Sequence, residues 1–186
     1  MAKRKKSLSE AVSSELKSGF SLDDFKTKKG LISSVKFKDQ EWIPLSPAFT
    51  DVLSIPGIPL GHIVLLRGHS DTGKTTALLE TAVACQKRKI LPVFIITEMK
   101  WSWEHARMMG LKVEEVVDKE TGEIIDYKGN FLYVDRETLH SIEDVAGFIL
   151  DMIDEQKKGN LPYDLMFLWD SIGSIPCEMS IKSNKN

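Results

Sequence analysis

Short, almost wholly apolar runs alternate with amphipathic stretches along most of the chain. Residues 63–67 (IVLLR), 91–97 (LPVFIIT), 131–134 (FLYV) and 165–169 (LMFLW) are apolar at consecutive positions but for the closing Arg67 and Thr97. That is the pattern of strands covered on both faces, not one. Residues 75–87 carry Leu78, Leu79, Ala82, Val83 and Cys85 at helical spacing, and 142–157 carry Val145, Ile149, Met152 and Ile153. Each predicts a helix with one face on a sheet. Residues 101–109 read as a further helix. Two apolar runs within 113–128, split by Lys119-Glu120-Thr121-Gly122, predict a hairpin. Strands alternating with helices predict an α/β fold, a mostly parallel sheet flanked by helices.

The first fifty residues read differently. Leu8, Val12, Leu16 and Phe20 recur at four-residue intervals, which predicts a short helix over 8–25 capped by Ser7 or Ser9. Residues 26–60 are punctuated by proline and glycine, as in Ile55-Pro56-Gly57-Ile58-Pro59, and read as extended segments and turns. No internal repeat or low-complexity stretch interrupts the 186 residues.

Composition narrows the class. Apolar residues make up 42% of the chain and charged residues 28%, the balance of a globular domain. No apolar run approaches the ~20 residues that cross a bilayer, and the basic start lacks the apolar segment of a signal peptide. The expectation is a cytoplasmic protein with no membrane partner. Cys85 and Cys177 are far apart and form no CxxC pair, so both read as reduced thiols. The net charge of -2 is uneven: residues 1–40 hold ten Lys/Arg against five Asp/Glu, and the remainder fifteen against twenty-two. The basic arm suits nucleic acid or an acidic neighbouring subunit, and it equally suits a solvated terminus.

The candidate chemistry begins at Gly68-His69-Ser70-Asp71-Thr72-Gly73-Lys74-Thr75, which fits G-x-x-x-x-G-K-[ST]. The pattern gains force from its setting, an expected strand before it and an expected helix after. Gly68 and Gly73 let the backbone curl so that successive N–H groups face one concavity at the positive end of the helix. Lys74 is placed to reach the β- and γ-phosphates of a nucleoside triphosphate, and the Thr75 hydroxyl to ligate Mg²⁺. ATP with Mg²⁺ is the expected ligand. The alternative is a glycine-rich turn with an incidental lysine.

Two carboxylates complete the expectation. Asp170 ends the apolar run 165–169, where a carboxylate serves either as a turn cap or as a holder of the Mg²⁺ shell. The next residue is Ser171, so a base that orients water must come from elsewhere. Glu98 is the candidate, because it ends the strand after the phosphate-loop helix and parallel strands gather their carboxyl ends at one edge. Its alternative role is a cap for the helix at 101.

Together these residues resemble the RecA recombinase family, and bacteriophage RecA-like recombinases in particular. Residues 68–76, ending in Thr76, look like its phosphate loop. Phe94-Ile95-Ile96-Thr97-Glu98, followed by Ala106-Arg107-Met108-Met109-Gly110, is similar to its catalytic-glutamate segment. Leu168-Trp169-Asp170-Ser171-Ile172-Gly173-Ser174-Ile175-Pro176 looks like its Mg²⁺-binding strand entering the first DNA-binding loop. The resemblance covers roughly residues 55–180. It implies an ATP-dependent recombinase that hydrolyses ATP, binds single-stranded DNA and assembles as a homo-oligomeric filament. It also implies that residues 1–50 are a basic arm and oligomerisation segment, and that 51–186 are the ATPase core.

The sequence departs from the family at three places. Ser102 and His105 stand where many bacterial relatives have an aspartate and a tyrosine around the adenine; Trp101 and His105 are candidates to stack on the base, and each equally suits a core or surface position of a helix. The 113–128 hairpin is an elaboration. The chain ends at Asn186, ten residues after Pro176, where the family continues into further strands. This predicts a fragment whose sheet lacks a central member, between 63–67 and the Asp170 strand. The alternatives are a hexameric helicase or other RecA-like motor, and a fragment that binds nucleotide without hydrolysing it.

Overall fold

A computed structural model of the chain describes residues 21–30 and 39–183. The chain divides into two compact units, residues 1–39 and residues 40–186. In the first unit, helix α1 (Leu22–Lys28) starts after Ser21, whose hydroxyl accepts the Asp24 N–H at 3.2 Å. The helix expected over 8–25 lies mostly outside the described residues. Among the described residues, α1 overlaps the end of that stretch and runs past Phe25.

The second unit is built on three parallel strands in the order β6-β3-β7: β3 (Ile90–Ile96), β6 (Leu132–Asp135) and β7 (Asp164–Asp170). All seven residues of β3 are buried, as a central strand covered on both faces requires. Side-chain parity sorts the two layers. Phe94, Ile96 and Leu168 pack with Leu79 and Ala82 of helix α3 (Lys74–Lys87) and Ala106 of helix α4 (Trp103–Met108). Ile95, with Phe167 and Trp169, packs on the opposite face with Val145 of helix α5 (Ile142–Lys157). The α/β expectation therefore holds as a three-layer arrangement, and α5 has the predicted bounds.

Two small antiparallel pairs flank this body. Strands β1 (Trp42–Pro44) and β2 (Gly57–Pro59) pair across helix α2 (Pro47–Leu53). Arg88 donates to the Trp42 carbonyl at 2.6 Å, and Glu80 accepts the Ser46 N–H at 2.8 Å, so both ties run to α3 or its C-cap. The predicted hairpin is present as β4 (Glu114–Val117) and β5 (Ile124–Lys128). Gln86 of α3 staples its base, accepting the Lys112 N–H at 2.9 Å and donating to the Lys112 and Asn130 carbonyls at 3.3 and 3.2 Å. The chain after β7 makes a 3₁₀ turn (Ile172–Ser174) and helix α6 (Glu178–Ser183).

One expected strand is not there. Residues 63–67 form no strand, and Ile63, Val64 and Leu65 are 102%, 41% and 72% exposed. An apolar run becomes a strand only when a neighbour takes its N–H and C=O groups. No described strand lies beside this one, and β7 pairs only with β3.

Candidate functional site

The site is assembled where α3 begins and β3 and β7 end. Gly73 caps α3 with φ of 88°, a left-handed conformation that suits a residue without Cβ, and no side chain caps the helix there. The first intrahelical bond runs from the Ala77 N–H to the Gly73 carbonyl at 2.9 Å. Among the described residues, no acceptor faces the backbone N–H groups of residues 68–76. They lie in a loop and at a helix N-terminus, where an anion is favoured.

Within the loop, Thr72 donates to the His69 carbonyl at 2.8 Å, and Lys74 Nζ donates to the carbonyls of Gly68 and His69 at 3.1 and 2.6 Å. The lysine thus lies folded over the loop, its ammonium held by the loop's own carbonyls. Ser70 and Asp71 are exposed at the tip, Asp71 with a positive φ of 60°.

Asp170 sits two residues beyond Leu168, so its side chain falls on the face of the sheet that α3 covers. There the Thr75 hydroxyl donates to Asp170 Oδ2 at 2.7 Å, across 95 residues of sequence. Parallel pairing of Ile96 with Asp170 brings Glu98 to the same edge. The Thr97 and Glu98 N–H groups donate to the Asp170 carbonyl at 2.9 and 3.3 Å. Glu98 itself is exposed, and its Oε1 accepts from the Ser171 hydroxyl at 2.7 Å. The cap of α4 is Ser102, which accepts the His105 N–H at 3.1 Å, so Glu98 does not fill that role.

Trp101 faces inward. Its ring lies 5.1 Å from Phe94, 5.5 Å from Trp103 and 6.1 Å from Tyr133, centroid to centroid. Of the two readings of Trp101, base-stacking or core, these ring contacts fit the core one. Cys85 is also in the core, and burial pushes its thiol up to about 12.

Sequence reasoning overlooked a ring of hydroxyls beside Glu98. Thr97, fully buried, donates to the Ser171 carbonyl at 2.7 Å and accepts from the Trp169 indole at 3.1 Å. Ser174 approaches the same carbonyl at 2.7 Å and Thr97 Oγ1 at 2.9 Å. The adjacent Asp170-Ser171 pair was the available signal, though hydroxyl spacing alone names no partner.

The donor set is of the kind a magnesium-bound triphosphate needs. The loop N–H groups have no acceptor among the described residues, Lys74 Nζ lies on the loop carbonyls, and Thr75 with Asp170 offers two oxygens, a sparse set that suits Mg²⁺ shared with phosphates and water. Among the described residues, no group of three or more His, Cys, Asp or Glu forms a self-sufficient metal cage. No described helix is long and apolar enough to cross a membrane.

No family model matches the chain. Over 88 residues it is 34% identical to protein RecA of Francisella philomiragia, a match covering 46% of this chain and 24% of that protein. The chain thus aligns with about a quarter of that relative's length. This similarity supports a relationship to the RecA family.

Proposed function

We propose that this chain binds ATP with Mg²⁺ and hydrolyses it as a RecA-like recombinase ATPase stimulated by single-stranded DNA, working as a homo-oligomeric filament. The observation that carries the reading is the 2.7 Å contact between Thr75 and Asp170. Two residues assigned separately to one Mg²⁺ shell meet, although 95 positions separate them. The loop of residues 68–76 holds the phosphates through backbone N–H groups, and Lys74 turns from its own loop carbonyls toward the phosphate oxygens. Mg²⁺, when bound, neutralises charge developing on those oxygens. Glu98 accepts a proton from, and so orients, the attacking water.

The decisive experiment measures ATP turnover with and without single-stranded DNA. Lys74→Ala should abolish nucleotide binding or nearly so. Glu98→Gln should retain binding and lose roughly 10²-fold or more in rate. Normal turnover by Glu98→Gln would move the base elsewhere. The exposed run at 63–65 favours a second reading, in which the chain binds nucleotide without turnover. Magnesium-dependent hydrolysis by the chain excludes it.

A further inference from the structure

We infer that Ser171 is a positioning residue for Glu98, and that its hydroxyl sets which carboxylate oxygen faces the attacking water. The inference rests on the ATPase reading above. Glu98 is exposed, and a glutamate side chain left to itself samples many rotamers. A base must be aimed to be useful, because misplacement of a reacting group costs rate steeply. The only side-chain hydrogen bond on Glu98 among the described residues is the 2.7 Å donation from Ser171 to Oε1. It occupies one oxygen and leaves Oε2 as the acceptor for water.

The hydroxyl can aim Glu98 because its own backbone is fixed. The Ser171 carbonyl is surrounded by the Thr97 hydroxyl at 2.7 Å, the Ser174 hydroxyl at 2.7 Å and the Ser174 N–H at 3.2 Å. Thr97 is held in turn by the Trp169 indole, whose ring packs in the layer against α5. In the preceding peptide, the Asp170 carbonyl takes the N–H groups of Thr97 and Glu98. The Ser171 hydroxyl carries one proton. Its other neighbour, Ser174 Oγ at 3.4 Å, is too distant to compete for it with Glu98 at 2.7 Å. Removing the hydroxyl therefore frees Glu98 and leaves every backbone tie in place.

The test compares Ser171→Ala with Ser171→Thr, which keeps a hydroxyl. Ser171→Ala should lower kcat about 10-fold, the value of one hydrogen bond to a charged group, with KM for ATP and Kd for a non-hydrolysable ATP analogue within about 2-fold of the parent. Ser171→Thr should recover most of the loss. Glu98→Gln combined with Ser171→Ala should be no slower than Glu98→Gln alone, since nothing is left to aim. Crystals of both single variants without nucleotide give a readout apart from turnover: Glu98 should leave its position in the alanine variant and keep it in the threonine variant. An unchanged kcat, parallel changes in kcat and Kd, or an unmoved Glu98 would overturn the inference. If the parent chain shows no magnesium-dependent turnover with or without single-stranded DNA, the ATPase reading fails and the inference falls with it. An unmoved Glu98 in an active enzyme sinks the inference alone.

Discussion

Residues 63–65 and strand β3 are equally apolar in sequence and opposite in structure. Every residue of β3 is buried, whereas Ile63 is 102% exposed. The difference lies in neighbours. Strand β3 has a parallel partner on each edge, with α3 and α4 over one face and α5 over the other. Residues 63–65 have no partner strand among the described residues. Apolar composition states what a segment would gain by burial, and topology decides whether burial is available. The same contrast divides the candidate site, because α3 follows the exposed run yet its Thr75 is anchored to β7 through Asp170.

The largest expected effect tests the buried side of this contrast. Phe94 is fully buried and touches Trp101 and Phe131 in the layer under α3. Phe94→Ala should cost about 3–5 kcal/mol, the transfer free energy plus the cavity left behind. Chemical denaturation measures it. A loss below about 1 kcal/mol would mean that the layer collapses around the site, and that β3 is less rigid than its burial implies.

Much of this was legible in the sequence. Strand β7 and helices α3 and α5 fall where periodicity puts them, since each has a long unambiguous pattern. The Thr75–Asp170 meeting follows from two local rules, a helix starting after the loop and a strand ending in aspartate. Residues 63–67 misled because a short apolar run carries no record of its neighbours. The Ser171–Glu98 bond was invisible for a different reason. It depends on parallel register, Ile96 beside Asp170, and on a turn after β7 that no spacing rule specifies. Trp101 kept two readings in the sequence because an aromatic beside a proposed nucleotide site serves a core as readily as a ligand, and its contacts fit the core.

An intermediate effect is expected at Gln86, which links the buried layer to the peripheral hairpin. Its side chain satisfies three backbone groups at residues 112 and 130. Gln86→Ala should cost about 1–2 kcal/mol, because these groups lose their protein partners but remain near water. Hydrogen exchange should show faster opening in β4 and β5 while β3 is unchanged. Equal acceleration in β3 would show that hairpin and sheet open as one unit, which would extend the rigid region well beyond the parallel strands.

The smallest effect belongs to the exposed run itself. Ile63→Lys should change stability by no more than about 0.5 kcal/mol, since a side chain already in water gives up no burial. It should also raise solubility, because an exposed apolar run with unpaired backbone groups recruits other chains and a lysine opposes that pairing. Denaturation midpoint and light scattering on the same sample separate the two effects. A loss above about 1 kcal/mol at constant oligomeric state would mean that Ile63 is buried in solution within a single chain. A parent stability that rises with protein concentration, with no such rise in the variant, would instead mean that the run is covered by another copy. Either result would replace the contrast between a buried and an open run with a narrower one, between burial within one chain and burial between chains.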